Sequence, residues 1–324
     1  MDISKKNARP KAITPRGFRD NFHSYLNKRD EVLEVVKRIY ELYGFERLET
    51  PAIETVDALG KFLPDINRPN EGVFAWQDEN DSWLALRYDL TAPLARAFSQ
   101  HRNNLQVPYK RYSFGPVWRN EKPGPDRFKE FYQFDADIVG TSSVIADAEM
   151  CFIVFDVLNE LGFSIGDYST RISNRKILSG LIQAVKLTDD TVLGDIELVV
   201  FRAIDKLDRL GLEGVKSLLG KGRTDNSGDF TEGANLSTGQ IDTIISFLKI
   251  KNNDPYKALE EMEDLIGDSA IGQEGLSELR NIADTLLSKD RSDLSFKIDP
   301  SVVRGLAYYT GTVFETELST PTKS

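Results

Sequence analysis

The sequence predicts an α+β fold, an antiparallel sheet flanked by helices and carrying a mainly helical insertion, on three observations. Two long segments place apolar residues at i, i+3, i+4 spacing, and the stretch between them alternates with period two. Short linkers rich in Gly, Pro and Asp interrupt that stretch, and short linkers make hairpins, hence antiparallel neighbours, because parallel ones need long crossovers. After about Lys176 the helical period returns, and strand-like sequence reappears near Ser295. At 324 residues the chain is long enough for two ordinary domains.

The elements follow in order. From Asp30 to Phe45, Val32, Leu33, Val35, Val36, Ile39, Tyr40 and Tyr43 form one stripe, a helix with Gly44 as its C-cap. Val73–Trp76 and Trp83–Arg87 flank the turn-rich Asp78–Asp81 and predict a hairpin; a helix Ala92–Ser99 comes next. Arg111–Asn120 and Phe131–Val139 are two further strands around Lys122–Arg127, whose Pro123, Gly124 and Pro125 can continue neither. A helix from Ser143 to Leu161 rests on Met150, Ile153, Val154, Val157, Leu158 and Leu161, and Gly162 ends it. Asp195–Leu210, Thr238–Ile250, Pro255–Leu265 and Glu274–Leu287 have helical periodicity, while Gly220–Gly239 has little apolar content and predicts a mobile loop. The expected organisation is a core of residues 1–180 and 292–324 around a helical insertion, 181–291.

Composition narrows the chemistry. Lys plus Arg is 41 against 51 for Asp plus Glu, a net charge of −10, which is weak grounds against nucleic-acid binding because local charge matters more than the total. No apolar run approaches the roughly 20 residues that span a bilayer, so no membrane partner is expected. Cys151 is the only cysteine, which excludes an internal disulfide and a cysteine-based metal site. With His23 and His101 the only histidines, the chemistry falls to Arg, Asp, Glu, Gln and Tyr. Lys5, Lys6, Arg9, Lys11, Arg16 and Arg19 cluster near the start and are expected to be a solvated, flexible tail.

Alternation along Phe131–Val139 places Tyr132, Phe134, Ala136 and Ile138 on one face and Gln133, Asp135 and Asp137 on the other. Three polar residues in a row either meet water or line a site, and the strand alone leaves both open. Arg119 and Glu121 share a face of the preceding strand, and the hairpin is expected to bring them near Gln133 and Asp137, a mixed face suited to a zwitterion or a phosphate ester. Asp89 and Thr91 stand where a strand gives way to a helix, as N-cap or as ligand-binding groups. No Walker loop or Gly-x-Gly-x-x-Gly is present, so a phosphate would be held by side chains, chiefly arginines.

Four segments occur in a telling order: Thr14-Pro15-Arg16-Gly17-Phe18-Arg19-Asp20 with Thr50-Pro51, then Leu86-Arg87-Tyr88-Asp89-Leu90-Thr91, then Phe114-Gly115-Pro116-Val117-Trp118-Arg119-Asn120-Glu121 through Gln133 and Asp137, and last Val303-Arg304-Gly305-Leu306-Ala307-Tyr308-Tyr309-Thr310-Gly311. They resemble the opening and first class motif, the amino-acid-binding segment, the second class motif and the histidine-specific signature of the histidyl-tRNA synthetases, a family of class II aminoacyl-tRNA synthetases. The resemblance implies a class II synthetase-like antiparallel sheet and a cytoplasmic, homodimeric histidine–tRNA ligase. Such an enzyme activates histidine with ATP and Mg²⁺ to histidyl adenylate and passes it to tRNA(His).

It also implies roles. Asp89 and Thr91 would hold the α-amino group, with Gln133 beside them. Arg119 and Arg304 would be catalytic, binding the α-phosphate of ATP from two sides, and Glu121 would contact the adenine end. Asp137 and Tyr309 would read the imidazole in a pocket lined by Tyr308. A carboxylate attacking a phosphate brings two anions together, and guanidinium groups stabilise the charge that develops without any acid–base residue.

The resemblance departs at Asp137, where the family usually has Glu; at Ala307, where it usually has Asp; and in the loop Lys122–Glu130, which bears on how the tRNA acceptor end is read. The chain stops at Ser324, before the third class motif and the anticodon-binding domain, so the expectation is a truncated catalytic core, poorly active alone. The alternatives are a non-catalytic paralogue acting as regulatory subunit of ATP phosphoribosyltransferase, against which the pair Arg119 and Arg304 argues, and a tRNA-sensing pseudo-synthetase module.

Overall fold

A computed structural model describes residues 11–60, 72–122, 124, 127–185, 193–225, 228–288, 295–303, 305 and 309–319. The chain divides into two compact units, Met1–Thr141 and Ser142–Ser324.

The first unit opens with helix α1 (His23–Leu42), which starts at His23 rather than Asp30 because its first two turns are largely exposed and show no apolar stripe. Strand β1 (Glu46–Arg47) is followed by β2 (Ile53–Thr55), the short helix α2 (Val56–Leu59), β3 (Ala75–Gln77), β4 (Trp83–Leu86) and helix α3 (Thr91–His101). Strands β5 (Tyr109–Trp118) and β6 (Glu130–Val139) complete the unit. One sheet has the order β2-β4-β3, antiparallel throughout, and Leu59, Val73, Ala85 and Ala92 form a small core against it. The other has the order β1-β5-β6; the long hairpin β5-β6 is antiparallel as expected, but β1 joins β5 in parallel. The sixty-odd residues between them supply the crossover that parallel pairing needs.

Tyr112, Phe114 and Phe134 share one face of this hairpin. Phe114 and Phe134 stack at 5.3 Å between ring centroids, and Tyr40 of α1 lies edge-on to Phe134 at 5.1 Å. The Tyr112 hydroxyl donates to Glu41 at 2.8 Å, which anchors the end of α1. Helix α1 therefore covers the aromatic face, and the polar residues fall on the other.

The second unit contains α4 (Ile145–Glu160), β7 (Tyr168–Asn174), α5 (Arg175–Ala184), α6 (Leu193–Ile204), α7 (Leu207–Leu219), β8 (Gly222–Thr224), β9 (Phe230–Glu232), α8 (Thr238–Leu248), α9 (Pro255–Ile266), α10 (Ala270–Leu287), β10 (Phe296–Ile298) and β11 (Thr312–Leu318). Strand β7 is central, with β10 parallel on one side and β11 antiparallel on the other. Helices α5 and α10 approach so closely that a Cβ on Gly180 would lie 2.5 Å from the Cα of Gly272. The expected single helix over Asp195–Leu210 is two, α6 and α7, and the backbone turns non-helical again at Gly211.

The expected loop Gly220–Gly239 instead contains the hairpin β8-β9. Gly222 has φ +114°, and a Cβ there would sit 2.3 Å from the Thr231 carbonyl oxygen, so the pairing needs glycine. The Asp225 carboxylate accepts from the Asp229 amide at 3.0 Å and closes the turn. Among the described residues no helix is long and apolar enough to cross a membrane.

Candidate active site

The β5-β6 register sets the site. The ladder pairs Arg111 with Asp137, Ser113 with Asp135 and Gly115 with Gln133, all on the face away from the aromatic cluster. Arg111 is fully buried. Its Nη2 lies 2.8 Å from Asp137 Oδ2 and donates to the Leu90 carbonyl at 2.7 Å, while Nε and Nη1 have no hydrogen-bond partner. Leu90 sits between Asp89 and Thr91, so this guanidinium ties the turn before α3 to the strand that carries Asp137.

Asp89 Oδ1 accepts from the Ala92 amide at 2.9 Å and caps α3, and the Thr91 side chain hydrogen-bonds Asp135. The N-cap expectation for Asp89 is therefore met at the same place where the polar face converges. Burial pushes the carboxyls of Asp89, Asp135 and Asp137 above the usual range. Asp135 is pushed up to about 6, first by burial and then by the charges of Asp137 and Asp89, with Arg111 and the Thr91 hydrogen bond opposing. Gln133 Oε1 is buried without a donor.

The open end of the hairpin has the opposite character. Trp118 donates to Glu130 at 2.7 Å and Lys129 to Asn120 at 2.7 Å, which clamps the base of the loop. Arg119 donates through Nε to the Tyr88 carbonyl at 3.2 Å, lies over the Phe131 ring at 5.0 Å, and its charge favours the ionised form of Asp89. A cavity of about 400 Å³ opens beside it, lined by Arg19, Arg119, Glu121, Lys122, Arg127, Phe128 and Phe131. Glu121 is ion-paired with Arg127. Four cations and two rings against one carboxylate suit phosphates and a flat base.

The structure corrects two expectations. Arg119 and Glu121 do not flank Gln133 and Asp137: the register sets Arg119 near Lys129, whose carbonyl accepts its amide at 2.9 Å, and Arg111 takes the place opposite Asp137. Arg19 is not part of a free tail, since its guanidinium lies 4.3 Å from the Phe128 ring and 5.0 Å from Tyr25, and the Lys129 amide donates to Gly17 at 2.7 Å. Sequence reasoning missed Arg111 and Arg19 as lining residues; counting outward from the turn around Gly124 pairs 111 with 137 and would have found the first. Tyr309 belongs to the second unit, where it is 44% exposed and its amide donates to the Gly305 carbonyl at 3.0 Å. Arg304 and Tyr308 lie outside the described residues.

Comparison with known proteins adds three findings. Residues 17–317 match the family model described as histidyl-tRNA synthetase. The chain is 54% identical over 322 residues to a protein of Dinoroseobacter shibae named histidine–tRNA ligase, covering 98% of this chain and 65% of that one. A protein of the same name from Roseobacter denitrificans is 52% identical, with 98% and 66% covered. The chain thus spans somewhat less than two thirds of these relatives' length. The solved histidyl-tRNA synthetase of a Nostoc species superposes with a TM-score of 0.78 at 30% identity, over 96% of this chain and 66% of that one.

Proposed function

The chain belongs to the histidyl-tRNA synthetase family, and on that premise we propose that it activates histidine with ATP to histidyl adenylate and passes the histidyl group to tRNA(His). The observation that carries this is the position of Arg119. One guanidinium donates to the carbonyl of Tyr88, next to Asp89, and also lines the cationic cavity, so an ammonium-binding end and a phosphate-binding end meet at one residue.

In this mechanism Asp89, Thr91 and Gln133 orient the α-ammonium, and Asp137, fixed by Arg111, faces the imidazole. Arg119 takes the α-phosphate and stabilises the charge that develops as the histidine carboxylate attacks, with pyrophosphate leaving. Glu121 contacts the adenine end. Asp137 is one methylene shorter than Glu, and the Arg111 pair holds its carboxylate in place, so its contact with the ring runs through water. Arg304, Tyr308 and Tyr309 keep the roles the resemblance gives them: the second guanidinium and the imidazole contacts.

Magnesium fits as a companion of the nucleotide. No cluster of three or more metal-ligating side chains occurs among the described residues, and Mg²⁺ is held chiefly by the phosphates it accompanies. When bound it neutralises phosphate charge. A homodimer in the cytoplasm completes the proposal, on the resemblance.

Histidine-dependent exchange of pyrophosphate into ATP tests the activation step, and charging of tRNA(His) the transfer. Exchange that requires histidine is the expected result. Histidine binding with no trace of even the weak exchange expected of a chain spanning under two thirds of its relatives overturns the proposal in favour of the regulatory-subunit alternative, which the ligase names of the relatives otherwise disfavour.

A further inference from the structure

We infer that Asp135 makes the amino-acid end of the site select histidine with its imidazole ring protonated, the proton being drawn from solvent as the ligand binds. This rests on the histidine-activating proposal above and deepens it.

The argument is one of charge and donor count. Facing Asp135 are Asp137 on its own strand, Arg111 on β5, and Asp89 and the Thr91 hydroxyl at the start of α3; Arg119 acts from the far side of Asp89. Tyr40 of α1 feels Asp135 and Asp137, and its phenol, pushed up to about 12, stays neutral. The patch therefore holds three carboxylates against one fully buried guanidinium, which is committed to Asp137 and the Leu90 carbonyl and helps keep the carboxylates charged. Two orphaned nitrogens on a side chain so completely buried show that Arg111 is kept there at a cost.

Arg119, on the far side of Asp89, is taken up by the ligand's own carboxylate, so against Arg111 alone an α-ammonium group offsets one of the two remaining negative charges and leaves the other. Neutral imidazole brings one donor and one lone pair, and a lone pair turned toward a carboxylate is repelled. Imidazolium brings a second positive charge and two N–H donors. Gln133 Oε1, buried on the same face without a donor, is an acceptor for the α-ammonium and brings no positive charge of its own to the patch. The ring reaches this state near neutrality at small cost, because its ordinary pKa is about 6.5.

The experiment is calorimetric titration of L-histidine into the 324-residue chain at about pH 7.5, one unit above the ordinary ring pKa, in phosphate and in Tris, whose ionisation enthalpies differ. The expected result is uptake of about one proton per histidine by the wild type. In Asp135→Asn the uptake should fall toward zero, with affinity lowered about tenfold. A second measurement needs no variant: nitrogen-15 spectra of ring-labelled histidine bound to the wild type should show both ring nitrogens in the imidazolium form. A neutral tautomer in the complex, or proton uptake unchanged in Asp135→Asn, overturns this inference and leaves histidine activation standing. Absence of histidine binding together with absence of histidine-dependent exchange overturns both.

Discussion

The Arg87 guanidinium occupies the space that a side chain on residue 115 would need: a Cβ built on Gly115 lies 2.6 Å from Arg87 Nη2. Arg87 cannot yield easily, because Nε donates to the Pro116 carbonyl at 3.1 Å and Nη1 to the Thr50 carbonyl at 2.9 Å. Gly115→Ala should therefore destabilise the chain by about 1–3 kcal/mol, as overpacking does. Thermal denaturation by circular dichroism checks this, and an unchanged midpoint would show that Arg87 moves freely.

Arg119 should matter for the chemical step more than for folding, since it is only partly buried. Replacing it with alanine removes the charge that meets the α-phosphate, an effect on the order of 3 kcal/mol, or ~100-fold in exchange rate. Steady-state exchange kinetics should show the loss mainly in kcat, with the histidine KM changed far less.

Asp135 gives a stability prediction whose sign is fixed by its environment. Its folded-state pKa, about 6, lies above the ordinary 3.8, so the protonated form is the one favoured by folding. That contribution is fully present below about pH 4 and is lost as pH rises through 6. Asp135→Asn should thus be more stable than the wild type at pH 8, by about 3 kcal/mol, with the difference closing toward pH 4. Urea unfolding at several pH values reads it directly. A residue that weakens the empty protein while strengthening its ligand complex is what a binding group, rather than a packing group, does.

In the second unit Arg171 is buried and paired with Glu315 at 2.7 Å and Glu317 at 2.6 Å, with Asp299 at 3.7 Å. These partners come from β11 and from the residue after β10, so one side chain on the central strand joins both neighbours. Arg171→Met should cost on the order of 3 kcal/mol, because it leaves carboxylates in a poorly solvated place without their cation. Chemical denaturation measures the cost; a neutral substitution would show that Glu317, which is half exposed, was never relying on the pair.

Much of this was legible in the residues themselves. Period-two alternation located β5 and β6 to within two residues, and it separated Gln133, Asp135 and Asp137 from the aromatic face correctly. Alternation says nothing about what lies opposite, so the pattern alone puts Arg119 beside Asp137 where the ladder places Arg111. The hairpin β8-β9 was illegible for another reason: its strands are three residues each and mostly exposed, so no apolar pattern marks them. Arg19 reads as tail in the sequence because its partners, Phe128 and Tyr25, act through ring contacts that leave no spacing signature.

Because ten consecutive residues of β5 pair with ten of β6, the hairpin behaves like a zip fastener whose teeth alternate between scaffold and chemistry. Insertion or deletion of one residue anywhere along either strand would turn every tooth beyond it over, exposing tyrosine and phenylalanine where carboxylates belong. Length changes in descendants of this gene should therefore accumulate in the tip around Gly124 and spare both strands, so a catalogue of tolerated indels would trace the boundary of the active surface without any enzymology.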